Sequence, residues 1–174
     1  MQKREALMSK YRVHKGVIKS TAAILAAIED RIVKRLGVGL SAEQKTARRD
    51  EFCALAHQIV EGEVKVHLDK QVPLYGYKGD MRSERANIRI PKEVVNRYLG
   101  GGASNDVGFA KTAEGFDAIV SEYDKGSWWS NAESRFWQAA AVYETKELAE
   151  LNGYTVSVEE AEDGMMHVTC ESGF

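Results

Sequence analysis

The chain has 174 residues, 44% hydrophobic and 29% charged, a composition that excludes a disordered, collagenous or membrane-spanning protein. Its longest apolar-rich stretch, 21–28, is alanine-dominated and ends at Glu29-Asp30, far short of the ~20 apolar residues a membrane helix needs. The net charge of −2 averages unlike parts: residues 1–50 carry +7, 51–112 carry +1 and 113–174 carry −10.

In chain order, residues 2–13 are charged and weakly amphipathic, which predicts a short helix. From 17 to 36, Ile18, Leu25, Ile28, Ile32 and Leu36 fall near one helical stripe, and Gly37 and Gly39 end it. Ser41 opens a second helix, with Gln44 completing a capping-box pattern. Phe52, Ala56, Ile59 or Val60, and Val64 continue its inner face. Beyond Glu63, Val64, Val66 and Leu68 alternate with polar residues, a pattern that also suits a strand; the helix reading is carried to Lys70. Residues 15–70 thus read as a helical hairpin.

Pro73 and the glycines after it predict a loop. Ala86, Ile88 and Ile90 then alternate as a short strand, and Pro91 leads a two-turn helix to Leu99. Residues 100–106 read as a glycine-rich loop. Helices follow over 112–125 and 131–152, the second capped by Asn131, with Phe136, Ala140, Tyr143 and Leu148 or Leu151 inward. The end reads as a β-hairpin, Tyr154 to Val158 against Met166 to Cys170, turning at Glu162-Asp163-Gly164. The expected class is α+β: an N-terminal helical hairpin, a central short strand with helices, and a C-terminal β-hairpin packed on helices. It divides into a basic helical region, 1–70, and an acidic α+β region, 71–174, expected to form one unit.

No local pattern announces a reaction. His57, Glu61 and His67 share the second helix, but no HExxH or fourth ligand accompanies them, so no metal and no cofactor is expected. Residues 102–112 echo a phosphate loop ending in Lys111-Thr112, yet Lys111 follows Ala110 where a glycine is required. The two cysteines, Cys53 and Cys170, form no CxxC pair, and the N-terminal residues lack the apolar core of a secretory signal. A reducing cytoplasm is the expected compartment.

Three features remain. The stretch 86–99, Ala-Asn-Ile-Arg-Ile-Pro-Lys-Glu-Val-Val-Asn-Arg-Tyr-Leu, resembles the opening of the ribbon-helix-helix DNA-binding family. That resemblance implies a dimer whose paired strands enter the major groove, with Asn87 and Arg89 reading bases. The three tryptophans fall within ten residues, and Trp128-Trp129 at a helix junction can be either a core corner or an exposed anchor. Finally, the basic third offers Arg12, Lys15, Lys19, Arg48 and Arg49 to phosphates.

The leading expectation is a non-enzymatic protein that binds macromolecules, as a homo-oligomer or as a blocker of a partner protein complex. Trp128 and Trp129 would anchor it, with Glu159, Glu160, Glu162 and Asp163 as a charged rim. Opposite charges at the two ends of a chain suit head-to-tail association. Nucleic-acid binding through the basic helices stands second, and an enzyme assembled from scattered residues third.

Overall fold

A computed structural model describes residues 11–122, 128–161 and 164–172. Five antiparallel strands form the main sheet in the order β1-β7-β6-β5-β2. They are β1 (Tyr11–His14), β7 (Phe116–Ser121), β6 (Val107–Lys111), β5 (Ile88–Ile90) and β2 (Lys65–Val66). Side chains alternate across a strand, and this sheet uses both faces. Ile88, Ile90, Val107, Phe109, Phe116, Ala118 and Val120 enter the larger core. Ile119 and Ala110 face the opposite way, onto Leu74 and Ala86 of a separate hairpin, β3 (Val72–Tyr75) with β4 (Met81–Ala86). Gly108 permits this layer to approach: a Cβ there would lie 2.7 Å from that of Ala86.

Helices cover the first face. α1 (Thr21–Leu36) contributes Ile24, Ile28 and Ile32, and α3 (Arg49–Glu63) contributes Ala56, Ile59 and Val60. The Ser20 hydroxyl caps α1 by accepting from the Ala23 N–H, and Gly37 ends it. The second predicted helix breaks at Arg48 into α2 (Ala42–Ala47) and α3, although the Ser41–Gln44 capping box forms as expected. A short helix α4 (Lys92–Val94) continues as a π-helical turn over Val95–Leu99. The long helix α5 (Trp128–Leu151) then leads into the C-terminal hairpin β8 (Tyr154–Glu160) with β9 (Met166–Ser172). The α+β class, the N-terminal helices and the C-terminal hairpin are as the sequence predicts.

Four predicted elements are corrected. Within 2–13, residues 11–13 belong to strand β1, whose partner is β7; residues 2–10 lie outside the described set. The helix does not reach Lys70: it ends at Glu63, and Lys65 and Val66 pair with Arg89 and Ile88. Within the predicted helix over 112–125, residues 112–121 are instead a four-residue turn and strand β7, and 123–125 lie outside the described set. The Thr112 N–H and hydroxyl both donate to the Gly115 carbonyl there, at 2.9 and 2.8 Å. Asn131 is no cap, because α5 begins three residues earlier, at Trp128.

One aromatic cluster ties α5 to the sheet. Phe136 stacks on Phe109 at 5.1 Å, while Trp129 and Trp137 meet Phe109 edge-on at 6.1 and 6.3 Å. Edge-to-face and offset pairs add to plain burial because ring edges and faces carry opposite partial charge. Gly16 lets the β1–α1 connection pass this cluster: a Cβ would lie 2.7 Å from the Trp137 ring and overlap the Phe116 carbonyl. The core draws Ile24 and Ile28 from the basic region and Phe109, Phe116 and Phe136 from the acidic one.

Candidate functional site

Helix geometry brings the two ends of the charge distribution together. α1 and α5 pack antiparallel, so Glu144 of α5 meets the start of α1 and accepts from the Lys19 and Ser20 N–H groups, both at 2.8 Å. A carboxylate there satisfies free donors and complements the positive end of the helix dipole. Arg12 pairs with Glu122 at 2.8 Å, and His14 contacts Glu133 at 3.2 Å. Part of the +7 and −10 is therefore matched inside one chain.

At the other end of α1 the match fails. The seven residues of β8 run back along α5 for ~23 Å, and the sixteen helical steps from Leu151 to Arg135 span ~24 Å. The hairpin turn therefore arrives beside Arg135, where a Cβ on Gly164 would sit 3.1 Å from the guanidinium. A groove of about 790 Å³ opens between α1, the α2–α3 corner, α5 and this hairpin. Its apolar lining includes Ala26, Val33, Phe52, Ala139 and Met166; its cationic lining is Lys34, Lys45, Arg49 and Arg135; and Glu29, Asp30 and Glu160 supply carboxylates. Lys34 reaches Asp30 at 3.8 Å, and Glu29 holds His57 at 2.8 Å. Lys45, Arg49 and Arg135 form no ion pair with any described residue.

The sequence-predicted residues scatter around this groove. Trp128 and Trp129 are 5% and 2% exposed, so they are a core corner and cannot anchor a partner: Trp129 packs on His14, Phe109 and Phe136. Glu159 and Glu160 are exposed on β8, and only Glu160 lines the groove. Glu162 and Asp163 lie outside the described residues.

The basic set divides. Arg12, Lys15 and Lys19 sit before α1, whereas Arg48 and Arg49 sit near its far end, roughly 24 Å away along a sixteen-residue helix. Arg48 is occupied, bonding both Glu51 carboxylate oxygens at 2.8 and 3.0 Å and stacking on Phe52 at 4.7 Å. The Glu51 carboxyl is held below its ordinary range by that hydrogen bond.

The base-reading roles of Asn87 and Arg89 are also corrected. β5 is an internal strand between β6 and β2, not a free ribbon. Asn87 is buried: its Oδ1 accepts from Gln71 and the Lys111 N–H, and its Nδ2 donates to the His67 carbonyl at 3.1 Å. Arg89 donates to buried Asp106 at 3.0 Å and lies over the Tyr75 ring. Asp106 also accepts from the Tyr75 and Lys92 N–H groups, both at 3.0 Å. This network pins hairpin β3–β4 to the sheet.

Arg135 is the groove residue that sequence reasoning missed. It belongs to the acidic third, and its one signal is helical spacing with Gln138 and Ala139, which line the same wall. Among the described residues no cluster of His, Cys, Asp and Glu is arranged to hold a metal ion, and no helix is long and apolar enough to cross a membrane. Both cysteines are free thiols at the surface. Comparison with protein-family models, with curated proteins and with solved structures finds no match to this chain.

Proposed function

We propose that this chain is a non-enzymatic binding protein, and that the groove between α1, the α2–α3 corner, α5 and the β8–β9 hairpin is the face that takes a partner protein. One observation carries this reading: Lys45, Arg49 and Arg135 converge on a groove with apolar walls and form no ion pair among the described residues. Arg12 and Arg89, by contrast, are paired with Glu122 and Asp106. Pockets that combine apolar lining with a few converging polar groups are the usual ligand-binding surfaces, and about 790 Å³ lies within their range. The anchors proposed from sequence give way to Val33, Met166 and the arginines, while Glu160 keeps its place on the rim.

A photocrosslinking residue at Gln138 in the groove, compared with one at exposed Met81 on the opposite layer, tests this in the native cell extract. A protein adduct at Gln138 alone, lost on Arg49→Glu with Arg135→Glu, is the expected result. Adducts at both positions, or at neither, would remove the groove as the binding face. An adduct absorbing as nucleic acid would replace the protein partner with the second class of ligand, and its capture would weaken steeply with salt.

A further inference from the structure

Like charges are held together beside the groove. Arg31 of α1 lies close enough to Arg135 of α5 to feel its repulsion. Burial pulls the Arg31 guanidinium below its ordinary value, adjacent Asp30 pushes it back up, and Arg135 lowers it again. No described carboxylate bonds to either arginine. Across the groove, Lys45 and Arg49 add two more cations with no ion-pair partner among the described residues. Gathering like charges is unfavourable for the compact state, and an anion seated among them relieves the repulsion.

The groove also specifies what kind of anion fits. Phosphates would answer the cations. They would leave the partly exposed Val33, Ala139 and Met166 in water. A peptide with carboxylates flanking apolar side chains answers both features. Arginine forks bind carboxylates bidentately, which fixes register as well as charge, and thioether surface adapts to varied apolar side chains.

We propose that the groove binds an acidic peptide segment of a partner protein, with Arg49 and Arg135 holding its carboxylates and Val33, Ala139 and Met166 receiving the apolar side chains between them. This rests on the groove being the binding face, and it adds the chemistry of the occupant.

Random dodecapeptides displayed on phage are selected on the wild-type protein and counter-selected on Arg49→Glu with Arg135→Glu. Both arginines are exposed, so the reversal leaves the core intact, and a matching unfolding curve verifies this. The selected sequences are expected to carry at least two carboxylates around an apolar residue. Their synthetic versions should bind the double variant at least about tenfold more weakly, the scale of one lost charge-assisted hydrogen bond. Arg49→Gln with Arg135→Gln should fall between.

No enrichment, enrichment without excess Asp and Glu, or equal binding to both proteins would each overturn the proposal. So would an oligonucleotide held by the same two arginines that the peptides fail to displace, or a second copy of this chain as the ligand, seen as a mass above 19.4 kDa that the double variant loses. A Gln138 adduct whose contacting segment is not acidic would overturn the peptide chemistry and leave the binding face standing. The absence of any adduct at Gln138 would remove the face itself.

Discussion

The two halves of α5 are built of one continuous helix and do opposite things. From Trp128 to Ala140 the helix places Trp128, Trp129, Ala132, Phe136 and Ala140 in the core. From Ala141 to Leu151 it buries no residue fully, and Leu148 and Leu151 are 54% and 78% exposed. The difference lies in what the helix meets: the sheet and α1 for the first half, chiefly its own hairpin for the second. The sequence-based expectation that Tyr143, Leu148 and Leu151 point inward fails for this reason. An apolar stripe predicts an inner face only as far as a neighbour extends to cover it. The contrast teaches that burial along this helix follows its neighbours: the half packed on the sheet is buried, while the half beyond it stays exposed and its charged side chains find partners.

The largest effect that could break this contrast is truncation of Phe136, which is fully buried and stacked on Phe109. Phe136→Ala should cost about 3–5 kcal/mol in denaturant unfolding, from lost transfer energy and the cavity left behind. Leu151→Ala, on the same helix, should stay within about 0.5 kcal/mol. Similar losses at both positions would mean that the second half is covered after all, and the division would be wrong.

How much of this was legible beforehand follows the same line. α1 was readable because its apolar stripe and its stop at Gly37 agree, although the helix starts at Thr21 and not at 17. The C-terminal hairpin was readable because one face of it is wet and its residues alternate. Strands β6 and β7 were not. Val107-Gly-Phe and Ala118-Ile-Val are buried on both faces, between the helices and the β3–β4 layer. Continuous apolar runs of that kind carry no period to read. The groove was half legible. Lys34, Lys45 and Arg49 stood out within the basic third, whereas Arg135 is one of three cations among the last 62 residues. Only the antiparallel packing of α1 on α5 brings it to the others, and no local pattern encodes that. The tryptophan pair shows the limit from the other side, since a bulky aromatic dipeptide looks the same in sequence whether a sheet covers it or solvent does.

The contrast sharpens at Glu144, a residue of the open half that is nonetheless tied down. Its carboxylate serves the Lys19 and Ser20 N–H groups at the start of α1, and Glu147 adds a weaker bond to the Ser20 hydroxyl at 3.4 Å. Glu144→Ala should cost about 1 kcal/mol, in the range of a lost helix cap. Water can reach both donors, which keeps the loss modest. Amide exchange at Lys19 and Ser20 should quicken while that at Ile28 stays unchanged. Unaltered exchange at the first two would show that the α1 terminus is held by Ser20 alone.

The smallest effect concerns the opposite wall of the groove, where α1 and α3 meet at the surface. His57 of α3 bonds Glu29 of α1 at 2.8 Å and reaches Glu61 at 3.6 Å. The hydrogen bond to Glu29 raises the His57 pKa above its ordinary 6.5, its charge adds to that, and Glu61 contributes less. A raised histidine pKa means that the folded chain binds the proton more tightly than the unfolded one. The added stability is complete below pH 6.5 and fades as pH rises through the folded-state value. His57 is fully solvated, so the slope should be shallow and weaken further with salt. His57→Gln should flatten it, and an NMR titration of Glu29→Gln should return the imidazole toward its ordinary value. A histidine that titrates at 6.5 in the wild-type protein would show the seam open in solution, leaving apolar packing alone to hold α1 against α3 and to set the width of the groove.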